Sequence, residues 1–195
     1  FKNKNNEVPY QMLGNFYDRA QINGQNNIEA ILISSYSHES NEVDSRFVNL
    51  KYIDNDKFIF FSNYQSPKSN QFMSHNQISA VLFWDSINIQ IRIKALIEKT
   101  SKEFNQIYFS KRDKKKNALA ISSNQSININ SYSEVKKEFN ETLLKQDLSV
   151  CPDYWGGYSF NPYYFEFWEG HESRLNKRDI YEIRNGKWHH SILQP

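Results

Sequence analysis

Five short segments of this chain combine cationic side chains with amides, hydroxyls or aromatic rings. They lie at residues 46–51, 60–68, 90–94, 111–116 and 155–178. Arginine and lysine bind phosphate groups, whereas amides and aromatic faces can hold a planar heterocycle. These residue types would therefore suit a ligand with a phosphate and a ring. Each segment also has an ordinary explanation, as a solvated strand edge, a capped helix or an aromatic core.

The first segment is predicted to be part of a strand with a cation at each end. Arg46 and Lys51 are five residues apart, so in a regular strand their side chains face opposite sides. They cannot grip the same atom unless a bulge intervenes. In one interpretation a phosphate binds one cation and a second anionic or ring group binds the other. The alternative is two solubilising charges at a strand edge.

The second segment joins a strand to a predicted helix. Ser66 and Pro67 form a pattern that starts helices. The N-terminus of a helix presents free N–H groups and the positive end of its dipole, which suit a phosphate. Lys68 would add charge, and Ser62 or Ser66 would add hydroxyl donors. The alternative is an ordinary helix that Ser66 caps.

The remaining segments also allow two interpretations. Gln90, Arg92 and Lys94 alternate with isoleucine, so they share one face of a strand that could be a wet barrel face or a ligand contact. The basic segment 111–116 could hold a phosphate or form a solvated face. Trp168 and the arginines that follow it could sandwich an aromatic ligand. They could equally belong to an aromatic hairpin in the core.

Composition and motifs disfavour several classes of protein. The net charge of +2 over 195 residues argues against a nucleic-acid surface, and no apolar run is long enough to span a membrane. The five histidines lack metal-ligand spacing, so no metal is predicted. No phosphate-loop, dinucleotide-binding or serine-elbow motif occurs. Cys151 is the single cysteine and no signal peptide is recognisable, which favours a cytoplasmic location.

Tight turns separate many short apolar segments along the chain. Strands are predicted near residues 30–36, 47–52, 57–63, 78–84, 89–97, 158–160, 164–168, 180–184 and 188–193. Helices are predicted at 9–24, 67–75, from 101 onward and at 135–145. We therefore predict a mainly β protein, an antiparallel barrel with peripheral α-helices. Residues 1–8 are predicted to be a flexible tail and 9–195 a single domain.

The order of these motifs resembles the pyridoxamine 5′-phosphate oxidase family of flavoproteins. The resemblance extends from about Pro9 to Pro195 and is most specific at the C-terminus. There the chain reads W-G-G-Y at 155–158, E-F-W-E-G at 166–170, R-L at 174–175 and L-Q-P at 193–195. Upstream, the matching motifs are R-x-V-x-L-K at 46–51, Q-x-R at 90–92, Y-F-x-x-R at 108–112 and N-Q-S at 124–126. The resemblance implies an FMN-binding split β-barrel and a homodimer with its active site at the subunit interface.

The resemblance also implies which residues contact the FMN. They are Arg46, Phe47, Val48, Asn49, Leu50, Lys51, Phe61, Ser62, Lys68, Gln90, Gln125, Ser126, Trp168 and Arg178. Of these, Arg46, Ser62 and Lys68 would serve the phosphate and its neighbouring atoms. Cations, a hydroxyl and a helix N-terminus are chemically suited to that group.

By the same resemblance the substrate is a phosphorylated B6 vitamer, pyridoxamine or pyridoxine 5′-phosphate. The residues that would bind its phosphate are Lys51, Tyr108, Arg112 and Lys116. Arg174 and Asn176 would be the catalytic residues, close to the substrate ring and its reacting carbon. The implied reaction oxidises C4′ to the aldehyde of pyridoxal 5′-phosphate, and O₂ is reduced to H₂O₂.

Three positions depart from the family pattern. Pro67 stands where the family often has arginine, Lys116 where it has serine, and Asn176 where it has histidine. Asparagine can form hydrogen bonds but cannot titrate near neutral pH, as histidine can. Two alternatives therefore stay open: a related FMN oxidase of a different reduced ring, and a non-catalytic protein that binds flavin or pyridoxal phosphate.

Overall fold

The computed structural model describes residues 5–195, which form nine strands and five α-helices. The strands are β1 (Ala30–Ser37), β2 (Glu42–Asn49), β3 (Tyr52–Asp54), β4 (Lys57–Asn63), β5 (Gln77–Trp84), β6 (Ile89–Lys99), β7 (Trp155–Glu169), β8 (Lys177–Arg184) and β9 (Lys187–Leu193). The helices are α1 (Val8–Ile22), α2 (Pro67–Ser74), α3 (Lys102–Lys111), α4 (Lys114–Ser122) and α5 (Tyr132–Lys145). Residues 1–4 of the predicted tail lie outside the described residues, and α1 begins inside that tail, at Val8.

The described strands form one antiparallel sheet that branches at β7. The main path runs β2-β1-β5-β6-β7-β4-β3, and β8 joins β9 to β7. The first part of β7, 155–160, pairs with β4, and its last part, 164–169, pairs with β8. Strand β6 pairs along both parts. The sheet therefore splits along one edge of β7, near Pro162, whose nitrogen has no hydrogen to donate.

Aromatic rings make up much of the core between the strands. The fully buried rings include Phe58, Phe60, Phe160, Phe165 and Phe167. Phe58 and Phe160 stack with their centroids 5.1 Å apart, and Phe165 and Phe167 do so at 5.8 Å. Each such pair contributes about 0.5–1.5 kcal/mol beyond the burial of its apolar area. Phe58 also lies 6.2 Å from Phe165, so this ring on β4 contacts both parts of β7.

The described helices lie at the periphery of the sheet. Helix α1 buries one face, formed by Tyr10, Leu13, Phe16, Tyr17 and Ala20. No helix of residues 5–195 combines the length and the apolar character that crossing a membrane requires. The predicted class, mainly β with peripheral helices, is confirmed.

Helix α4 is an element that the sequence did not predict. Its N-cap residue is Asp113, whose side chain accepts a hydrogen bond from the backbone N–H of Lys116 (3.1 Å). Asn117 and Ala118 are its buried residues. The helical periodicity is weak because lysines fill the first turn and the apolar residues that follow, 118–121, are consecutive rather than spaced by a helical turn. This helix carries Lys116, one of the residues predicted to bind the substrate phosphate.

Two strand predictions are corrected by the structure. The predicted strand at 47–52 is wrong, because β2 ends at Asn49 and Leu50 turns into the core, where it is 1% exposed. The two strands predicted at 158–160 and 164–168 are one strand, β7. Strand β6 pairs with Asn161 and Pro162, so the two predicted segments are continuous.

Candidate functional site

Two adjoining cavities lie between the sheet and helices α2, α3 and α4. Cavity A, of about 630 Å³, is bordered by β2, the start of α2, α4 and the loop after α4. Cavity B, of about 570 Å³, is bordered by β3, α3 and the start of α4. The residues that line both are Asn49, Phe61, Arg112 and Lys116. The two cavities are therefore neighbouring parts of one site.

Cavity A collects most of the residues predicted to contact FMN. Those that line it are Arg46, Phe47, Val48, Asn49, Phe61, Ser62, Lys68, Gln125 and Ser126. Lys51 lines cavity B instead, so it and Arg46 border different cavities. Lys51 lies beyond the end of β2, so the alternation of a regular strand, on which the prediction depended, does not cause this separation. Leu50 lines neither cavity, because its side chain is in the core.

The turn before α2 holds Lys68 at cavity A. Ser66 is the N-cap residue of α2, but its side chain makes no capping bond, so the predicted serine cap is wrong. Its hydroxyl instead donates to the carbonyl of Asn63 (2.8 Å) and accepts a hydrogen bond from Lys68 Nζ (3.2 Å). Pro67 occupies the first helical position, which suits its fixed φ. The Ser66 hydroxyl therefore orients the ammonium group of Lys68 and does not cap the helix.

A hydrogen-bond network fixes the Arg46 guanidinium at cavity A. Its Nη1 donates to Ser35 Oγ (2.6 Å) and its Nη2 to Gln71 Oε1 (2.9 Å). Gln71 is 6% exposed, and its amide nitrogen donates to Asp44. The sequence did not indicate Gln71 or Ser35, since neither is charged nor part of a motif. The one available clue was that Gln71 lies one helical turn after Lys68.

Cavity A is strongly cationic. Among the described residues that line it, Arg46, Lys68, Arg112 and Lys116 are positively charged and none is a carboxylate. Burial, followed by the charge of Arg46, lowers the pKa of Lys68 to about 8. Burial also lowers the pKa of Arg46. Asp44 lies beside Arg46, with its Oδ2 3.8 Å from Nη2, but it does not line the cavity. Four cations grouped against one such carboxylate repel one another, so the cavity suits an anion such as a phosphate.

Cavity B brings together the four residues predicted to bind the substrate phosphate. They are Lys51, Tyr108, Arg112 and Lys116. Burial and then the charge of Lys116 lower the pKa of Lys51. Among the described lining residues the single carboxylate is Asp113, which caps α4. Cavity B is therefore also suited to an anion.

Stacked aromatic rings form the wall that the two cavities share. The centroid of the Phe61 ring lies 3.7 Å from that of the Tyr108 ring and 5.2 Å from that of the Trp155 ring. Both of these rings are nearly parallel to Phe61. The guanidinium of Arg112 lies 4.9 Å from the Trp155 ring centroid, and its Nη1 donates to Asn117 (3.0 Å). Trp155 was not among the predicted site residues, although its W-G-G-Y motif had been noted. Its role is to hold Arg112 between the cavities.

Three predicted cofactor residues lie elsewhere on the sheet, and we call them the strand group: Gln90, Trp168 and Arg178. In the sheet register Gln90 pairs with Trp168, and Trp168 with Arg178, so they are neighbours on β6, β7 and β8. None of the three lines cavity A or B. The residues predicted for one cofactor are thus divided between two surfaces of the chain.

The predicted catalytic residues lie in the loop between β7 and β8. Arg174 is exposed and has a φ of 60°, in the left-handed region. Its backbone N–H donates to the carbonyl of His171 (2.9 Å), and Asn176 Oδ1 accepts from the His171 backbone N–H (3.0 Å). Neither residue lines cavity A or B. The Asn176 side chain therefore braces the loop that carries Arg174.

Comparison with known proteins identifies the family. Residues 155–195 match the family described as the pyridoxine 5′-phosphate oxidase C-terminal dimerisation region. The pyridoxine/pyridoxamine 5′-phosphate oxidase of Vesicomyosocius okutanii is 36% identical over 172 residues, 86% of this chain and 80% of that protein. This chain belongs to the pyridoxine/pyridoxamine 5′-phosphate oxidase family. A family member from Legionella pneumophila strain Paris is 33% identical over 182 residues, 92% of this chain and 84% of that protein.

Two solved structures share the fold of this pyridoxine/pyridoxamine 5′-phosphate oxidase family member. PhzG from Burkholderia lata 383, in complex with tetrahydrophenazine-1-carboxylic acid, superposes with a TM-score of 0.90 at 23% identity, covering 96% of this chain and 92% of that one. A pyridoxamine 5′-phosphate oxidase-related, FMN binding protein from Nostoc punctiforme PCC 73102 has a TM-score of 0.79 at 9% identity, covering 97% and 99%. The predicted antiparallel split barrel is confirmed.

Proposed function

We propose that this protein is an FMN-dependent oxidase that forms pyridoxal 5′-phosphate. Pyridoxine 5′-phosphate and O₂ would give pyridoxal 5′-phosphate and H₂O₂. Pyridoxamine 5′-phosphate would also consume water and release ammonia. The observation that carries the proposal is the pair of adjoining cationic cavities, because cofactor and substrate each bring one phosphate.

FMN is the cofactor of this family, and the prediction of FMN is confirmed by membership in it. The donors of cavity A fit its phosphate, since Arg46, Lys68 and Ser62 supply two cations and a hydroxyl, and no carboxylate is among the described residues that line the cavity. When bound, FMN supplies two-electron redox chemistry that side chains lack. The part of these residues is to bind the cofactor and fix its position.

Cavity B supports the substrate assignment. Lys51, Arg112 and Lys116 would bind the substrate phosphate as cations, and the Tyr108 hydroxyl would donate a hydrogen bond. Because Arg112 and Lys116 line both cavities, a substrate held there lies next to the cofactor. Holding two reactants side by side is itself a large part of catalysis. Arg174 would orient the substrate ring from the loop between β7 and β8.

We also infer that the protein works as a homodimer with composite sites. The strand group faces neither cavity of its own chain, although the family resemblance places it on the same cofactor. In a dimer, both sets of residues could contact one FMN if the strand group of one copy lay against cavity A of the other. The match of residues 155–195 to a dimerisation region supports the inference, because Trp168 and Arg178 lie in that segment.

One specific observation favours an alternative substrate. Asn176 stands where the family pattern has histidine, and its carbonyl oxygen is bound to the backbone of its own loop. The loop therefore offers no titratable group at that position. The PhzG structure was solved with a reduced phenazine carboxylic acid. The alternative is an FMN oxidase of a different reduced ring.

An anaerobic flavin-reduction experiment tests the proposal. The purified protein is loaded with FMN, oxygen is removed, and pyridoxine 5′-phosphate or pyridoxamine 5′-phosphate is added. We expect the visible absorbance of the oxidised flavin to bleach when either compound is added and to return when air is admitted. Unphosphorylated pyridoxine is the matched control, and we expect no bleaching at the same concentration because cavity B is left without its anion.

The outcomes separate the candidate functions. Bleaching by the phosphorylated vitamers alone supports the proposed oxidase and shows that Asn176 is tolerated. If FMN binds and neither vitamer bleaches it, the substrate assignment is wrong. A reduced carboxylated ring would then be tested in the same way, and its failure would leave a binding protein without turnover.

A further inference from the structure

Glu166 is a buried carboxylate that the proposed function leaves without a role. It lies on β7 and is 3% exposed. Its Oε1 accepts a hydrogen bond from Arg178 Nε (2.9 Å) and forms an ion pair with Arg178 Nη2 (2.8 Å). Its Oε2 accepts from Arg92 Nη1 (3.4 Å) and from the Tyr164 hydroxyl (3.1 Å). A buried carboxylate requires such partners, and here they join β6, β7 and β8.

The network reaches the strand group on both sides. Arg92 Nε donates to Gln90 Oε1 (2.7 Å), so the Gln90 amide is left with its NH₂ donors. Arg178 makes one hydrogen bond and one ion-pair contact with Glu166, and it donates to the carbonyl of Gln194 (3.1 Å). A guanidinium has five N–H groups, so Arg178 keeps donors for a ligand. Trp168 carries an indole N–H and lies between Gln90 and Arg178 in the sheet register, so the strand group has hydrogen-bond donors on three neighbouring strands.

We propose that Glu166 is a positioning residue that sets the orientation and the net charge of the strand group toward FMN. The inference rests on the proposed function, in which the strand group of one copy meets the flavin held by another. Flavin carbonyl and ring nitrogen atoms accept hydrogen bonds, and the ring becomes more negative when it is reduced. Two arginines against one carboxylate leave a net positive charge beside it. Glu166 therefore limits how strongly the strand group favours the reduced cofactor.

The substitution Glu166→Gln isolates the charge. Glutamine has the same shape and still accepts from Arg178, but it leaves Arg92 and Arg178 uncompensated. We expect the affinity for reduced FMN relative to oxidised FMN to rise by about tenfold, equivalent to about +30 mV for a two-electron couple. The measurement is the midpoint potential of the bound flavin, titrated anaerobically against a reference dye. It does not depend on any substrate.

A second variant should shift the midpoint potential of the bound flavin in the opposite direction. Arg92→Gln removes a cation from the same network, and because the Arg92 side chain is 46% exposed, its loss leaves no cavity in the core. We expect the flavin potential to become more negative. This variant decides the question if Glu166→Gln does not fold.

The matched control is Glu98→Gln. It removes the same negative charge as Glu166→Gln, from the strand β6 that carries Arg92. Glu98 pairs with exposed Lys57 (3.2 Å) and lies six residues beyond Arg92. That spacing is about 20 Å along a strand, so we expect the wild-type potential. FMN bound at an unchanged potential in both network variants would overturn this inference and leave the proposed function intact. A wild-type protein that bound no FMN would overturn both.

Discussion

Lys68 combines a cation with a buried position, so we expect FMN binding to depend on pH. Its side chain is 9% exposed, and burial with the nearby charge of Arg46 lowers its pKa to about 8. A phosphate dianion binds the ammonium form of lysine. Above pH 8 the free protein must therefore take up a proton when FMN binds, so we expect its affinity for FMN to fall as the pH rises through 8.

The substitution Lys68→Met tests this assignment. A hydrogen bond to a charged group contributes about 1.5–3 kcal/mol, so we expect FMN binding to weaken by about ten- to a hundredfold. We also expect the pH dependence above 8 to be largely lost. Titration calorimetry in two buffers of different ionisation enthalpy measures both affinity and proton uptake. Lys145→Met, at an exposed position on α5, is the control; an equal effect there would contradict the assignment.

The same lysine should affect the stability of the apo protein with the opposite sign. Its pKa is about 8 in the folded chain and 10.5 when exposed, so the unfolded chain binds more protons between these values. The free energy of unfolding contributed by Lys68 should therefore rise from about pH 8 to 10.5 and be constant outside that window. Urea unfolding of wild type and Lys68→Met across this range isolates the contribution. A constant difference between the two would contradict it.

At the scale of single residues, the sequence indicated the site residues that are charged or belong to a recognisable motif. It did not indicate the side chains that hydrogen-bond to those residues and fix their positions. Arg46 and Lys68 were predicted, and both line cavity A. Gln71, which binds Arg46 from α2, was not, because an uncharged amide has no distinctive pattern. Glu166 was visible as part of E-F-W-E-G, yet its partners on β6 and β8 depend on strand pairing.

At the scale of elements, the start of β7 is shaped by two glycines that other side chains approach closely. A Cβ on Gly157 would lie 2.5 Å from Thr100 Oγ1 and 3.3 Å from the Phe61 ring. We expect Gly157→Ala to lower the free energy of unfolding by about 1–3 kcal/mol, as overpacking does. Since Phe61 lies in the stack with Tyr108, we also expect weaker FMN retention. Urea unfolding and flavin content measure the two effects.

Gly14 supplies the control for that prediction. It lies within α1, where an added Cβ would meet no atom within 4 Å. Gly14→Ala should therefore stabilise the protein by about 0.5–1 kcal/mol through helix propensity. Equal effects at Gly14 and Gly157 would show that the close contacts at β7 are unimportant.

Strands and helices with a regular alternation of polar and apolar residues were predictable from the sequence. Those whose existence or bounds depend on packing against neighbouring elements were not. The alternation of β6 correctly placed Gln90, Arg92 and Lys94 on one face, opposite buried isoleucines. Helix α4 was missed because its first turn is all lysine and its stability comes from the Asp113 cap and from packing. The continuity of β7 through Pro162 could not be deduced locally, since β6 determines it.

At the scale of the whole molecule, one chain presents two incomplete surfaces. Cavity A holds the cations suited to a phosphate, and the strand group holds donors suited to a ring, but the two do not share a cavity. No pattern in a single sequence reports which surfaces of two copies meet. The family resemblance supplied that expectation, and the separation of the two groups in the structure supports it.

Mixed dimers test whether the two surfaces meet between copies. We expect Lys68→Met, which damages cavity A, and Arg178→Met, which damages the strand group, each to weaken FMN binding at both sites of a pure dimer. A dimer with one chain of each kind contains one doubly damaged site and one intact site if sites form between copies. Co-expression with two different affinity tags isolates this species. It should bind about one FMN tightly per dimer, half the stoichiometry of the wild type. If each site formed within a single chain, every site in the mixed dimer would carry a lesion and no tight binding would return.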